Sequence, residues 1–509
     1  MDRSIRKIVI VGGGTAGWMA AAALRRAVGT TTSITLVESA EIGVVGVGEA
    51  TVPAIRQFNA MIGLDEAGFM RETKATFKLG IEFVDWGETG RRYFHPFGAF
   101  GPGPDLGGFH QGYLMARRHG LTTPLEAYSI CAQAAAKGRM ARPSPDPRSP
   151  LAAFQWAYHF DAILYARHLR RFSEALGVVR LEAEVQGATL RPDDGFIQSL
   201  TLGDGGVIEG DLFIDCTGFR GLLIEGALKT GYEDWSHWLP MDRAVAVPCE
   251  KVEPVRPFTR STAREGGWQW RIPLQHRTGN GYVFASEFLS EDAATAVLLA
   301  NLDGRPLADP RILRFATGRR RLFWNRNVVA LGLASGFLEP LESTSIHMIH
   351  SGINRLLQHF PDRDFSPVNI DAYNSRGVAE AELIRDFIIL HYHATTRADA
   401  PLWAHARTMP IPETLRGRIA LFADRGLLTS SADELFSHSS WLAVLLGQGV
   451  TPRSHNSLYD DQKAAAIAGL EQVARQIGAA TDALPAHDDF LAANGLAANG
   501  AEASSRPTA

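Results

Sequence analysis

Residues 7–17 read KIVIVGGGTAG, a β-branched run that stops in glycines and opens onto the Ala-rich WMAAAALRRAV at 18–28 and the strand-like ITLV at 34–37. An apolar run, a turn, a helix-forming stretch and a second apolar run make a β-turn-α-β unit. Gly12, Gly14 and Gly17 stand at GxGxxG spacing. The first permits a tight turn, the second lets the backbone approach a pyrophosphate, and the third lets helix and strand pack closely. Glu38 ends the next strand, where a carboxylate can accept ribose hydroxyls and disfavours a 2′-phosphate. Together these features predict an α/β nucleotide-binding fold.

Two later runs return to the same pattern. Residues 211–216 end in Thr217 and Gly218, and residues 327–332 end in small residues before Phe337. Three such returns predict one nucleotide fold with segments inserted between its strands. The inserts carry an alternating strand at 281–288 and an aromatic loop at 92–103, a composition suited to a substrate layer folded over a cofactor. Residues 141–150 are Pro-rich and predict an exposed loop. Helical spacing such as Ala379-Leu383-Phe387-Leu390 predicts a helical C-terminal part. The expected division is a core at 1–355, helices at 356–490 and a disordered tail at 491–509.

With 509 residues, 45% hydrophobic and 21% charged, the chain can bury a large core. A net charge of −4 gives no global basic field, so nucleic acid is not an expected partner. Cys131, Cys216 and Cys249 show no CxxC spacing, which speaks against a disulfide framework or a zinc knuckle and fits a reducing cytoplasm. MDRSIRK runs into the first strand without an apolar signal segment, and no apolar run is long enough to span a bilayer. A cytoplasmic protein without a membrane partner is expected.

The Asp215-Cys216-Thr217-Gly218 turn resembles the second flavin contact of glutathione-reductase-like folds, which favours FAD over NAD. A second strand-GxGxxG-helix unit for NAD(P)H is not found, so reduced flavin is expected from a separate NAD(P)H-dependent flavin reductase. The fold class is thus α/β, FAD-binding Rossmann-like, of the glutathione-reductase/flavin-monooxygenase type, with an interleaved substrate layer and a helical C-terminal part.

Residues 268–273 read WQWRIP and match WxWxIP; GVGEATVP at 46–53, TFKLGIEFVDW at 76–86, HPF at 95–97 and GFLEPLEST at 336–344 accompany it. Through these motifs the sequence resembles flavin-dependent halogenases of the tryptophan-halogenase type, from the N-terminus to beyond residue 350 and more weakly in the C-terminal helices. The resemblance implies FAD used as FADH2, oxygen, a halide (chloride or bromide), and hypohalous acid that travels through the protein to Lys78 beside an aromatic substrate. It implies catalytic roles for Lys78, Glu342 and Ser343, with Glu342 polarising hypohalous acid or accepting the proton that leaves the ring. Thr344 and Ser345 correspond to the halide segment; tryptophan-specific members often carry glycine where Ser345 stands. His95 and Phe97 would grip the substrate ring, with Glu49 nearby. Flavin contacts are implied at Gly12, Gly14, Thr15, Ala16, Gly17, Glu38, Val47, Gly48, Ala50, Asp215, Gly332 and Leu341. Trp268 and Trp270 would wall the flavin site.

Blander readings stand beside these. Lys74, Lys78 and Glu82 are spaced as on one face of a solvated helix. Glu342, Ser343 and Thr344 would suit a helix N-terminus. His347/His350 and His391/His393 lack converging acids or cysteines and read as buried or surface histidines, with no metal site. A flavin-dependent aromatic monooxygenase is the rival activity and a non-catalytic flavoprotein a more distant one. Only halogenation uses WxWxIP together with Lys78 and Glu342. In SHSSWLAVLLGQGVTP at 437–452, Trp441 is the only Phe, Trp or Tyr and no acid appears, so an open site for indole or a larger indole compound is expected rather than a lid for free tryptophan.

Overall fold

Lys7–Val11 lies inside a six-stranded sheet of the computed structural model, which describes residues 3–39, 48–101, 108–429 and 434–498. From one edge the strands run Trp324–Asn325, Val328–Ala330, Leu212–Asp215, Lys7–Val11, Ser33–Glu38 and Val179–Glu182. All pairings are parallel except the outermost one, between Trp324–Asn325 and Val328–Ala330. Ile8 to Val11 and Leu212 to Asp215 are buried throughout, which is why these runs are apolar without alternation. The register sets Val11 beside Val37 and Asp215, and Asp215 beside Ala330. Four strand ends therefore open along one edge, where parallel sheets bind ligands.

The helix Thr15–Val28 follows the glycine turn, and its buried Ala20–Ala23 let it lie close against the helices Ala162–Ala175 and Thr344–Gln358. Gly12 adopts φ +109°, and a Cβ at Gly17 would stand 1.8 Å from the Gly12 carbonyl oxygen. Gly17→Val is therefore expected to cost about 3 kcal/mol of stability. A Cβ at Gly14 would meet nothing within 4 Å, so Gly14→Ala should stay within about 0.5 kcal/mol of wild type. Thermal melts of the two variants check the contrast.

A second sheet of seven strands carries segments inserted between those of the first: Arg311–Arg314, Arg243–Glu250, Arg277–Phe284, Gly267–Pro273, Thr259–Arg264, Gly80–Val84 and Arg92–Pro96. Gly281 pairs with Trp270, and a Cβ there would fall 2.0 Å from the indole, so the missing side chain makes room for that ring. A third sheet joins Gly48–Ala50, Ala157–Asp161 and Thr76–Lys78. The chain passes from the third sheet to the second at Leu79, whose N–H donates to Pro257 O at 2.8 Å. The helical reading of Lys74, Lys78 and Glu82 is thereby corrected. Lys74 sits in a turn at φ 54°, while Lys78 and Glu82 lie on strands of different sheets.

The C-terminal part is helical, with Pro367–His393 as its longest element and Pro401–Thr408, Glu413–Arg425, His438–Gly447, Lys463–Asp482 and His487–Ala493 following. It shares one continuous apolar cluster with the core, from Ile5 to Leu496. Two expectations change here. Ala379 faces solvent, and the long helix is instead buried on all sides from Ile384 to Tyr392. Residues 491–498 are not a loose tail: Leu496 is buried, Arg71 Nη1 donates to Gly495 O at 2.7 Å, and Ala498 N donates to Gln275 Oε1 at 2.6 Å. The rest of the expected tail, 499–509, lies outside the described residues. Within 141–150 the chain is irregular and mostly half-buried or exposed.

Candidate active site

A cavity of about 540 Å³ lies between the first two sheets. Gly12, Gly14, Thr15, Ala16 and Glu38 border it, as do Gly48, Glu49, Ala50, Trp268, Trp270, Gly332 and Leu341. Gly14 is the N-cap of Thr15–Val28, and no side chain caps that end. Uncapped first-turn N–H groups favour an anion such as a pyrophosphate. Glu38 pairs with Arg180, and its carboxylate lies so close over Gly13 that a Cβ there would fall 1.4 Å from Oε2. These residues fit the ADP half of FAD. Glu49 is half-buried with its open side on the cavity, and burial pushes its carboxyl up to about 7.

Three expected flavin contacts stand differently. Gly17 is outside the lining and serves packing against Gly12. Asp215 is fully buried and is also outside the lining. Its carboxylate accepts from Thr217 N (3.0 Å), Thr217 Oγ1 (2.6 Å), Leu223 N (2.8 Å) and Ile224 N (2.8 Å), so it shapes the turn that presents Cys216, Thr217 and Gly218 to the cavity. Val47 lies outside the described residues.

Where the cavity meets the helix Thr344–Gln358, Ser343, Thr344 and Ser345 line it. Ser343 adopts φ 60° and makes no capping bond, which corrects the N-cap reading of its hydroxyl. That hydroxyl instead accepts from Lys78 Nζ at 2.8 Å. Thr344 Oγ1 is buried without a hydrogen-bond partner. An uncapped helix start with an orphan hydroxyl can hold an anion.

Lys78, Glu342, His95 and His391 lie outside that lining, behind Ser343. Lys78 has no exposed surface; its Nζ also donates to Thr51 O at 3.0 Å and stands 5.2 Å from the Phe97 ring centre. Burial pushes the Lys78 amine down to about 7, against the opposing pull of Glu342. Glu342 places both oxygens 3.0 Å from His95 Nδ1, and Oε1 is 2.9 Å from His391 Nε2. Burial acts to raise the Glu342 carboxyl, but His95 and His391 outweigh it and hold it at about 2. An amine and a carboxylate are thus buried near each other behind Ser343, a pairing able to orient an electrophile and to receive a proton.

Several residues of this region carry no sequence signal. His391, expected to be a buried or surface histidine, is buried, and its Nε2 stands 2.9 Å from Glu342 Oε1, a residue far away in sequence. Its neighbour Tyr392 donates to Glu339, which also accepts from Trp268 Nε1 at 3.0 Å. Glu339 is fully buried, and burial pushes its carboxyl up to about 7. Phe436 stands one residue before the 437–452 stretch and stacks on Phe387, with centroids 3.8 Å apart. Phe387 lies 5.7 Å and Phe436 6.2 Å from the His95 ring, and Trp441 meets Phe387 edge-on at 5.1 Å. An aromatic cover therefore does stand over His95. His347 bonds Glu380 at 2.9 Å, His393 faces Ala406 O at 3.2 Å, and no metal-binding cluster occurs among the described residues.

The nucleotide fold, with Lys78 and Glu342 buried beside its cavity, agrees with the resemblance that the sequence motifs carry. The tryptophan halogenase family profile matches residues 7–464, and the chain belongs to that family of enzymes. It is 36% identical to the 7-chloro-L-tryptophan 6-halogenase KtzR of Kutzneria sp. (strain 744), over 95% of this chain and 99% of that one. Among solved structures it resembles Xcc4156, a flavin-dependent halogenase from Xanthomonas campestris, at 48% identity and TM-score 0.93, covering 96% of this chain and 98% of the other. BrvH, a flavin-dependent halogenase from Brevundimonas sp. BAL3, is similar at 48% identity and TM-score 0.93, covering 97% and 99%. Among the described residues no helix is long and apolar enough to cross a membrane.

Proposed function

We propose that the protein halogenates an electron-rich aromatic compound, an indole derivative, with chloride or bromide, oxygen and FADH2 delivered by a separate NAD(P)H-dependent reductase. The observation that carries this reading is Lys78. A fully buried amine, hydrogen-bonded to Thr51 O and to Ser343 at the cavity wall and near Glu342, carries a burial cost that two neutral acceptors only partly offset. Reduced FAD supplies the two-electron activation of oxygen that turns halide into hypohalous acid. Thr344 and Ser345, at an uncapped helix start with an orphan hydroxyl, hold the halide. Trp268 and Trp270 wall the cavity, and the fixed Trp268 keeps substrate away from the flavin.

In the second pocket, the Lys78 ammonium donates to the hypohalous acid oxygen and turns the electrophilic halogen toward the ring. His95 and Phe97 present flat faces that hold an indole, and Glu342 takes the proton as the ring carbon–hydrogen bond breaks and its electrons restore aromaticity. Assays with FAD, a flavin reductase, NADH, oxygen, a halide and a panel of indoles, read by mass spectrometry, test the activity. Halogenated products that require both halide and FAD are expected. Oxygenated products without halogen would instead make the protein an aromatic monooxygenase.

A further inference from the structure

Thr76–Lys78 is an edge strand of the third sheet, and an edge strand leaves alternate N–H groups with no strand to receive them. Phe77 and Leu79, on either side of Lys78, point their N–H groups away from the sheet. Leu79 N donates to Pro257 O at 2.8 Å, as it would to a neighbouring strand. Phe77 N meets a side chain instead and donates to His487 Nε2 at 3.3 Å. The other ring nitrogen, Nδ1, lies 3.1 Å from the carbonyl oxygen of Val255. The imidazole therefore fills a gap between the strand of Lys78 and the segment 255–257, receiving one hydrogen bond and giving one.

That arrangement admits a single form of the ring. A carbonyl only accepts, so Nδ1 carries a hydrogen, and a backbone N–H only donates, so Nε2 offers its lone pair. A hydrogen on Nε2 would face the Phe77 N–H and break the link. His487 is 1% exposed, and burial holds its titration down at about 4, which agrees with the neutral ring that the two bonds require. The charged and titratable groups around it are Asp488 on its own helix, Lys251 from the chain before Val255, His159 beside Thr76 on the next strand, and Arg142, whose guanidinium stands over the rings of Phe77 and Phe490. The ring is anchored from its own side as well. His487 N donates to Gly138 O at 2.9 Å, and Phe490 on the same helix meets Phe77 edge-on at 5.7 Å.

We propose that His487 is a positioning residue of the reaction: its Nδ1–H tautomer, delivered by the helix His487–Ala493, fixes the backbone that carries Lys78 and so sets where the Lys78 amine meets Ser343 and Thr51. This deepens the halogenase reading and rests on Lys78 being the residue that orients the electrophile. His487 itself makes and breaks no bond in the reaction. Its effect is geometric, since a small displacement of a catalytic group by a distant change lowers the rate steeply.

Two substitutions separate positioning from packing. His487→Leu fills the space but can neither accept from Phe77 N nor donate to Val255 O, whereas His487→Gln carries an acceptor and a donor on one side chain. His487→Leu should lower kcat about 10- to 100-fold with substrate KM within about two-fold, and His487→Gln should restore kcat to within about three-fold of wild type. Flavin affinity should hold in both, because neither His487 nor residues 76–78 border the flavin cavity. Amide hydrogen exchange at Phe77 should quicken about ten-fold or more in His487→Leu and stay near wild type in His487→Gln. In 15N NMR of histidine-labelled wild type at about pH 6, where a free imidazole is mostly protonated, His487 should show a protonated Nδ1 and a bare Nε2. The chain has 16 histidines, so its signals are assigned by their loss in His487→Gln. A proton on Nε2, unchanged Phe77 exchange in His487→Leu, or wild-type kcat in that variant overturns the proposal. If His487→Leu does not fold, the wild-type spectrum still decides, a proton on Nε2 overturning it. Exchange and NMR do not depend on turnover, so a wild type that meets both expectations yet makes no halogenated product counts against the activity alone.

Discussion

Lys78→Met is expected to abolish halogenation, by about 10³-fold or more in kcat, while raising thermal stability by about 1–3 kcal/mol at neutral pH. The two effects share one cause. The amine is fully buried and has Ser343 and Thr51 as hydrogen-bond acceptors, and burial depresses its titration from 10.5 to about 7. Between about pH 7 and 10.5 the unfolded chain binds a proton at this site that the folded chain does not, so wild-type stability rises with pH across that window. Methionine has no such slope. The advantage of the variant over wild type should therefore be largest below about pH 7 and shrink toward pH 10.5. Melts across that range, with flavin affinity measured alongside, check it, since Lys78 lies outside the flavin cavity. Retained halogenation would remove Lys78 from the mechanism.

Glu342→Gln should lower kcat about 10²- to 10³-fold with little change in substrate KM, the signature of a lost proton acceptor. The amide keeps the shape of the carboxylate and removes its charge. Its stability profile also carries a sign. With Glu342 held at about 2 in the fold and near 4.5 when unfolded, the charged pair contributes fully above about pH 4.5 and is lost as pH falls toward 2. The variant should lack that acid-side decline. Denaturation curves at acid and neutral pH, set beside single-turnover rates, separate the two consequences.

The glycine turn that opens the nucleotide fold was legible because local backbone physics fixes it. A parallel strand buried on both faces, a turn at Gly12 and a close approach at Gly17 leave their mark within eleven residues. Lys78 was legible only through its motif. By spacing alone it joined Lys74 and Glu82 on a helix, and the change of sheet at Leu79 that buries it depends on the distant Pro257. Asp215 drew attention as a flavin contact through the resemblance of its turn, yet its place at the end of a strand makes it the natural acceptor for the N–H groups of that turn. His391 stood out only by its spacing to His393 and Tyr392 not at all, since a helix buried on all sides from Ile384 onward has no periodicity to distinguish a partner from filler. Leu496 was hidden for the opposite reason, a single apolar residue in an Ala-Gly-Asn stretch too short to show a pattern.

The account depends on two pockets, one for the flavin and halide and another for the aromatic ring, joined through Ser343. A crystal structure with FAD, bromide and an indole tests this in one measurement. It should show an anomalous bromide peak at the start of the helix Thr344–Gln358, FAD along the glycine turn, and the indole between His95 and Phe97 with Lys78 and Glu342 beside it. An indole stacked directly on the flavin ring, with Lys78 in contact with neither, would contradict it.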